Sequence, residues 1–109
     1  MDELMQTDAG KEELARLTEE HGNLADGESV AGCTSTVVLI TRNEVYCANA
    51  GDSRTVLASR GAAKDLSIDH KPDDPSEQRR IVDSGNYVEE GRINGKLACA
   101  RSLGDFVYK

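Results

Sequence analysis

The chain has 109 residues, 38% of them hydrophobic, with 20 acidic against 13 basic side chains and a net charge of −7. That length fits one domain burying roughly 60–70% of its unfolded surface, and three Tyr, one Phe and no Trp leave the core to aliphatic residues. The negative field repels a nucleic-acid backbone, and no apolar run is long enough for a membrane span or a secretory h-region.

Residues 1–21 read as a helical lead-in. Leu4, Leu14, Ala15 and Leu17 sit among good helix formers, and Asp8-Ala9-Gly10 is where the element is expected to divide. So sparse an apolar stripe needs a second element to pack against. Residues 22–32 are polar and contain glycine, as a loop does, and residues 33–109 form the core segment.

Within that segment, residues 34–41 are β-branched and almost continuously apolar, the pattern of a central strand buried on both faces. Arg42-Asn43 makes a turn, residues 44–50 the return strand, and residues 55–59 a third strand. Gly61 turns the chain again, and Leu66-Ser67-Ile68 alternates as a fourth strand. Short connections predict antiparallel neighbours. A helix follows with Asp74 as its cap, Pro75 at its first position and Glu77 completing a capping box. Ile81 and Val82 are expected in the core, and Gly85 at the stop. Arg79-Arg80, flanked by Glu77 and Asp83, reads as a solvated helix face. Tyr87-Val88 and Arg92-Ile93 then pair around Glu89-Glu90-Gly91. The chain ends on Phe106-Val107-Tyr108-Lys109, an apolar run that suggests a polypeptide continuing further. The fold class is α+β, with antiparallel strands and flanking helices.

Cys33, Cys47 and Cys99 are odd in number and lack a CxxC spacing, which indicates reduced thiols and a cytoplasmic or nuclear protein. His21 and His70 have no companion ligand cluster, so a zinc site is not expected. Two carboxylates stand out. Asp52 follows Asn49-Ala50-Gly51 at a strand exit, and Asp105 follows Leu103-Gly104. Either is an oxygen ligand suited to Mg²⁺ or Mn²⁺. Equally, each suits a turn in which Asp accepts backbone hydrogen bonds, and spacing alone favours the turn. Arg54 is open to pairing with Asp52 or to lying exposed. Arg101 is open to binding a phosphate or an internal carboxylate. Asp69-His70-Lys71-Pro72 offers an acid–base pair, but no nucleophile adjoins it, and an anchored loop stiffened by Pro72 is the better reading.

Taken in order, Gly32-Cys33-Thr34-Ser35-Thr36-Val37-Val38, Ala48-Asn49-Ala50-Gly51-Asp52-Ser53-Arg54, Asp69-His70-Lys71-Pro72, Glu77-Gln78-Arg79-Arg80-Ile81, Arg92-Ile93-Asn94-Gly95 and residues 97–109 resemble the metal-dependent serine/threonine protein phosphatases of type 2C. The likeness covers about three quarters of the chain, from Glu28 onward, and Met1-Asp2-Glu3-Leu4-Met5 resembles the helix preceding that region. It implies a β-sandwich flanked by helices, Mg²⁺ or Mn²⁺ as cofactor, phosphoprotein substrates, and attack on phosphorus by a metal-activated water. Carried over by position, Asp52 and Asp105 are the metal residues. The family's early Asp-Gly-His segment, with its metal ligand and general acid, has no counterpart here, and its late Asp ligands would fall beyond Lys109. The resemblance therefore implies a partial catalytic domain, inactive alone. The alternative is a non-catalytic module that recruits a second copy or another partner through open sheet edges.

Overall fold

The computed structural model describes residues 1–21 and 32–109. Helix α1 spans Asp2–Met5 and helix α2 spans Asp8–His21. The break lies at Gln6 and Thr7, just before the expected Asp8-Ala9-Gly10. Thr7 is the reason: its hydroxyl donates to the Leu4 carbonyl at 2.7 Å and accepts the Gly10 N–H at 3.1 Å, closing one helix and capping the next. Gly10 belongs to α2 for a steric reason, because a Cβ there would strike the Leu4 and Met5 backbone. The loop expected over 22–32 lies outside the described residues except for Gly32. That glycine is in strand β1, Gly32–Cys33.

Strands β2, Ser35–Ile40, and β3, Val45–Ala50, form the longest ladder. They are antiparallel, in register from Ser35 opposite Ala50 to Ile40 opposite Val45. Thr41 closes the reversal through bonds to Glu44. The expectation of burial on both faces is not met. Val37 is 58% exposed and Ile40 74%, because among the described elements β2 and β3 pack substantially only against each other. A continuous apolar run reports that a strand is to be covered, and carries no information on whether the covering element lies within the same residues.

The fourth strand is displaced from its expected place. Strand β4, Val56–Ser59, pairs with β5, Ala62–Asp65, and not with residues 66–68. Arg60 and Gly61 both have positive φ, 51° and 77°. That two-residue turn matches strand twist and forces Ala62 opposite Ser59. Turn geometry thus overrides the weak strand propensity of Ala62-Ala63-Lys64-Asp65. Nor are β3 and β4 neighbours: the described strands make four separate two-stranded ladders.

Helix α3 spans Pro75–Asp83 with Asp74 as its N-cap residue. The capping box does not form, since Asp74 makes no side-chain cap bond and Glu77 is engaged elsewhere. At the other end Gly85 donates to Val82 O and Asn86 to Ile81 O, closing the helix with paired reversed bonds around a left-handed glycine. Ile81 is 1% exposed but Val82 is 56% exposed, because consecutive helical residues point about 100° apart. Strands β6, Val88–Glu89, and β7, Arg92–Ile93, form the expected hairpin one residue further along: Glu89, expected in the turn, lies opposite Arg92, and Tyr87 falls outside the strand. Their Ile93 joins Ile81 and Ala100 in a small core, with Val88, Leu97 and Tyr108 against it. Strand β8, Leu103–Gly104, pairs antiparallel with β1. A 3₁₀ turn, Phe106–Tyr108, follows. The result is an α+β arrangement of antiparallel strand pairs and helices. No described helix is long and apolar enough to cross a membrane.

Candidate functional site

The end of β3 is tied to residues 68–71 by a set of short bonds. His70 N–H donates to the Gly51 carbonyl at 2.9 Å, and Gly51 N–H donates back to His70 Nδ1 at 3.1 Å. Asn49 Nδ2 donates to both Gly51 O and Ile68 O. Ala100 N–H donates to His70 O at 2.9 Å, so the same loop is fastened to the strand exit and to residue 100. Gly51 has a φ of 111°, and a Cβ there would meet Thr34. With Nδ1 accepting a backbone N–H, His70 is an anchor. The loop reading of Asp69-His70-Lys71-Pro72 holds, with Pro72 among the fully buried side chains.

These bonds determine where Asp52 points. Its carboxylate accepts from Lys71 Nζ at 2.6 Å, with 27% of the Asp52 side chain exposed. Its hydrogen bond to Asp52 raises the Lys71 ammonium's pKa, against a smaller opposing effect of burial. Arg54 does not pair with Asp52 and lies exposed, the second of its two expected roles. Although exposed, it forms a two-point contact with Asp69, at 2.9 and 3.0 Å, and reaches Asp65 at 3.0 Å. Hydrogen bonding from Arg54 holds the Asp69 carboxyl below its usual range.

Asp105 is brought in from the far end of the core segment. It is 6% exposed and sits at φ 51°, a left-handed conformation that Asp tolerates. Its carboxylate lies flat against Gly32, where any Cβ would collide with it. Three side chains, Glu77, Arg80 and Asp2, position this stretch. Glu77, 5% exposed on α3, accepts from Arg101 Nε at 2.9 Å and from Arg80 at 3.0 Å. Arg80 also donates to the Ala100 carbonyl. Asp2 of α1 accepts the Gly104 N–H at 2.9 Å and pairs with Lys109. Arg101 therefore binds an internal carboxylate, and Arg80 is a structural cation, not part of a solvated face.

The turn bearing Asp52 abuts the segment leading to Asp105, since a Cβ at Gly51 would lie 3.0 Å from the Arg101 carbonyl, and Cys99 is buried in that segment. Burial pushes this thiol up, and the two carboxylates push it further, with Lys71 opposing. Among the described residues no group of three or more His, Cys, Asp and Glu is arranged to hold a metal. A depression of about 280 Å³ beside Asp105 is lined by Ser102, Arg101 and Lys109. A wider concavity of about 580 Å³ lies over Arg54, Asp65 and Asp69, whose charges already satisfy one another. Sequence reasoning picked out Asp52 and Asp105 but missed Lys71, Glu77 and Asp2. Glu77 and Arg101 each carried a signal, a charge beside buried positions. Asp2 carried none.

A family model described as protein phosphatase 2C matches residues 3–109. "Probable protein phosphatase 2C 2" of Paramecium tetraurelia is 50% identical over 109 residues, which is 100% of this chain and 35% of that protein. "Protein phosphatase 2C 1" of the same organism is 48% identical over the same span and share. "Protein phosphatase 2C homolog 3" of Schizosaccharomyces pombe is 58% identical over 79 residues, 72% of this chain and 19% of that protein. The chain thus spans about a third of the length of its Paramecium relatives.

Proposed function

The chain belongs to the protein phosphatase 2C family, and from that premise we propose that it forms part of a phosphatase catalytic domain acting on phosphoserine and phosphothreonine in proteins. Its contribution is a pair of oxygen ligands, Asp52 and Asp105, toward Mg²⁺ or Mn²⁺. The observation that carries this reading is that the Asp52 turn and the segment leading to Asp105 meet from distant parts of the sequence: Ala100 N–H bonds to His70 O, and a Cβ at Gly51 would touch the Arg101 carbonyl.

The donor chemistry fits a hard divalent cation. Such ions take oxygen ligands, use one or two carboxylates and keep several waters. Gly32 leaves Asp105 room that any side chain would fill. A bound cation supplies Lewis acidity toward water and phosphoryl oxygens. The chain's own part is positional: Glu77 and Asp2 hold the segment bearing Asp105, and the His70 loop holds the strand exit bearing Asp52. The 109 residues contain no Asp-Gly-His, so we propose that they do not hydrolyse phosphate esters unaided. The test is p-nitrophenyl phosphate hydrolysis with millimolar Mn²⁺, beside a thermal melt with and without the metal. The expected results are no turnover above buffer and a Mn²⁺-dependent rise in melting temperature, by mass action, that Asp52→Ala removes. Turnover abolished by Asp52→Ala refutes the inactivity. A melt indifferent to Mn²⁺ refutes the metal site.

A second reading is favoured by the exposed β2–β3 hairpin: association with another copy through its open edges and apolar faces. A discrete dimer by light scattering supports it, and a monomer refutes it.

A further inference from the structure

We propose that Lys71 is a built-in competitor for the Asp52 carboxylate, setting how tightly a divalent cation is taken there. This inference rests on the reading of Asp52 as a metal carboxylate. It assigns a role to a residue outside the ligand pair.

The contact is not an incidental surface pair. Exposed lysines ordinarily sample many rotamers, and their ion pairs count for little. Here the backbone on both sides of Lys71 is fixed. Immediately before it, His70 is bonded to Gly51 through its N–H and Nδ1, and to Ala100 through its carbonyl. Immediately after it, Pro72 is fully buried. The fold therefore delivers the ammonium to Asp52, 2.6 Å from the carboxylate.

The choice of cation points the same way. Arg54 is only two positions from Asp52, yet it is turned toward Asp65 and Asp69. An arginine on Asp52 would clamp it through two parallel bonds, a contact that a metal would displace with difficulty. A lysine makes a single-point contact on a flexible stem. The Lys71 side chain is 45% exposed, so a displaced ammonium has water to move into. The arrangement separates the two duties: Arg54 locks the structural carboxylate Asp69, and Lys71 occupies Asp52 reversibly.

The experiment is Mn²⁺ binding to the full chain, read by electron paramagnetic resonance of free Mn²⁺, for wild type, Lys71→Met, Lys71→Arg and Asp52→Asn. Competition predicts the affinity order Met above Lys above Arg. Lys71→Met should bind about three- to tenfold tighter, from loss of the competing pair and of the charge that repels the ion. If Lys71 merely positions Asp52, Lys71→Met binds more weakly and Lys71→Arg matches wild type, and that order overturns the proposal. So does equal affinity in all three. Lys71→Arg keeps the charge and the loop anchor, so it reads out the competition even where Lys71→Met folds poorly. An unchanged affinity in Asp52→Asn instead overturns the metal reading of Asp52, and absence of Mn²⁺ binding in every variant overturns both.

Discussion

Glu77→Gln should destabilise the chain substantially, although Glu77 lies in neither ligand position. Breaking one member of a buried ion pair costs about 3–5 kcal/mol when the partner charges stay buried. Here the partners escape in part: Arg80 and Arg101 side chains are 41% and 47% exposed, so each guanidinium rehydrates once freed. Roughly halving the cost for that leaves about 2 kcal/mol, which for a domain of this size lowers the melting temperature by about 8–16 °C. The pH dependence follows from the direction of the shift. Burial raises the Glu77 pKa, but hydrogen bonds from Arg101 and Arg80 outweigh it and hold the group below its ordinary 4.5. The folded state thus favours the carboxylate. Its stabilisation is complete above about pH 4.5 and is lost as pH falls through the depressed value. Thermal melts by circular dichroism at pH 7 and pH 3.5 should show a wide gap between wild type and Glu77→Gln at the first pH and a narrowed gap at the second. Equal melting temperatures at pH 7 would refute the claim that Glu77 holds α3 to the Arg101 segment.

Gly32→Ala should push the Asp105 carboxylate from its place, since a Cβ at 32 overlaps it. An overpacking cost of about 1–3 kcal/mol is expected, with a smaller Mn²⁺-induced rise in melting temperature; a variant matching wild type in both would sink the packing argument. Cys33 is exposed and Cys99 buried beside two carboxylates, so at pH 8 a thiol reagent should modify Cys33 first. Asp52→Asn should speed modification of Cys99 by removing one negative charge; mass spectrometry of the labelled peptides decides the order. Ile40, 74% exposed on an apolar hairpin, should tolerate Ile40→Lys without loss of fold. Light scattering should then show less self-association, and unchanged association would exclude that face.

The parts of the fold that could be read in the sequence are those fixed by local chemistry. The β2–β3 hairpin, the Pro75 helix start, the Gly85 stop and the turn at Glu90-Gly91 are each set by a few adjacent residues. The misreadings have one common cause, a partner decided elsewhere. Residues 66–68 alternate like a strand, but the Arg60-Gly61 turn had already assigned the pairing to Ala62–Asp65. Glu77 stands at capping-box spacing from Asp74, yet two arginines, one of them far along the chain, take both its oxygens. Residues 34–41 announce burial without saying by what.

The same division runs through the candidate site. Asp52 and Asp105 were visible because glycine beside an acid at the end of an apolar run is a local pattern. Which cation meets which acid was not visible, because in sequence Arg54 stands two positions from Asp52 and Lys71 two from Asp69, and the observed pairs are the crossed ones. The fold decides the exchange: His70 locks onto Gly51, which carries Lys71 over Asp52 and leaves Asp69 to Arg54. A two-point arginine on the structural acid and a one-point lysine on the candidate ligand acid are opposite choices in strength. Swapping them tests whether that assignment matters. In the double variant Arg54→Lys, Lys71→Arg the charge is unchanged and the contacts are exchanged, so the loop should loosen while Asp52 is held more firmly. A lower melting temperature together with weaker Mn²⁺ binding is the expected pair of results. Retention of both properties would mean that any cation serves at either position, and the distinction drawn between Arg54 and Lys71 would fall.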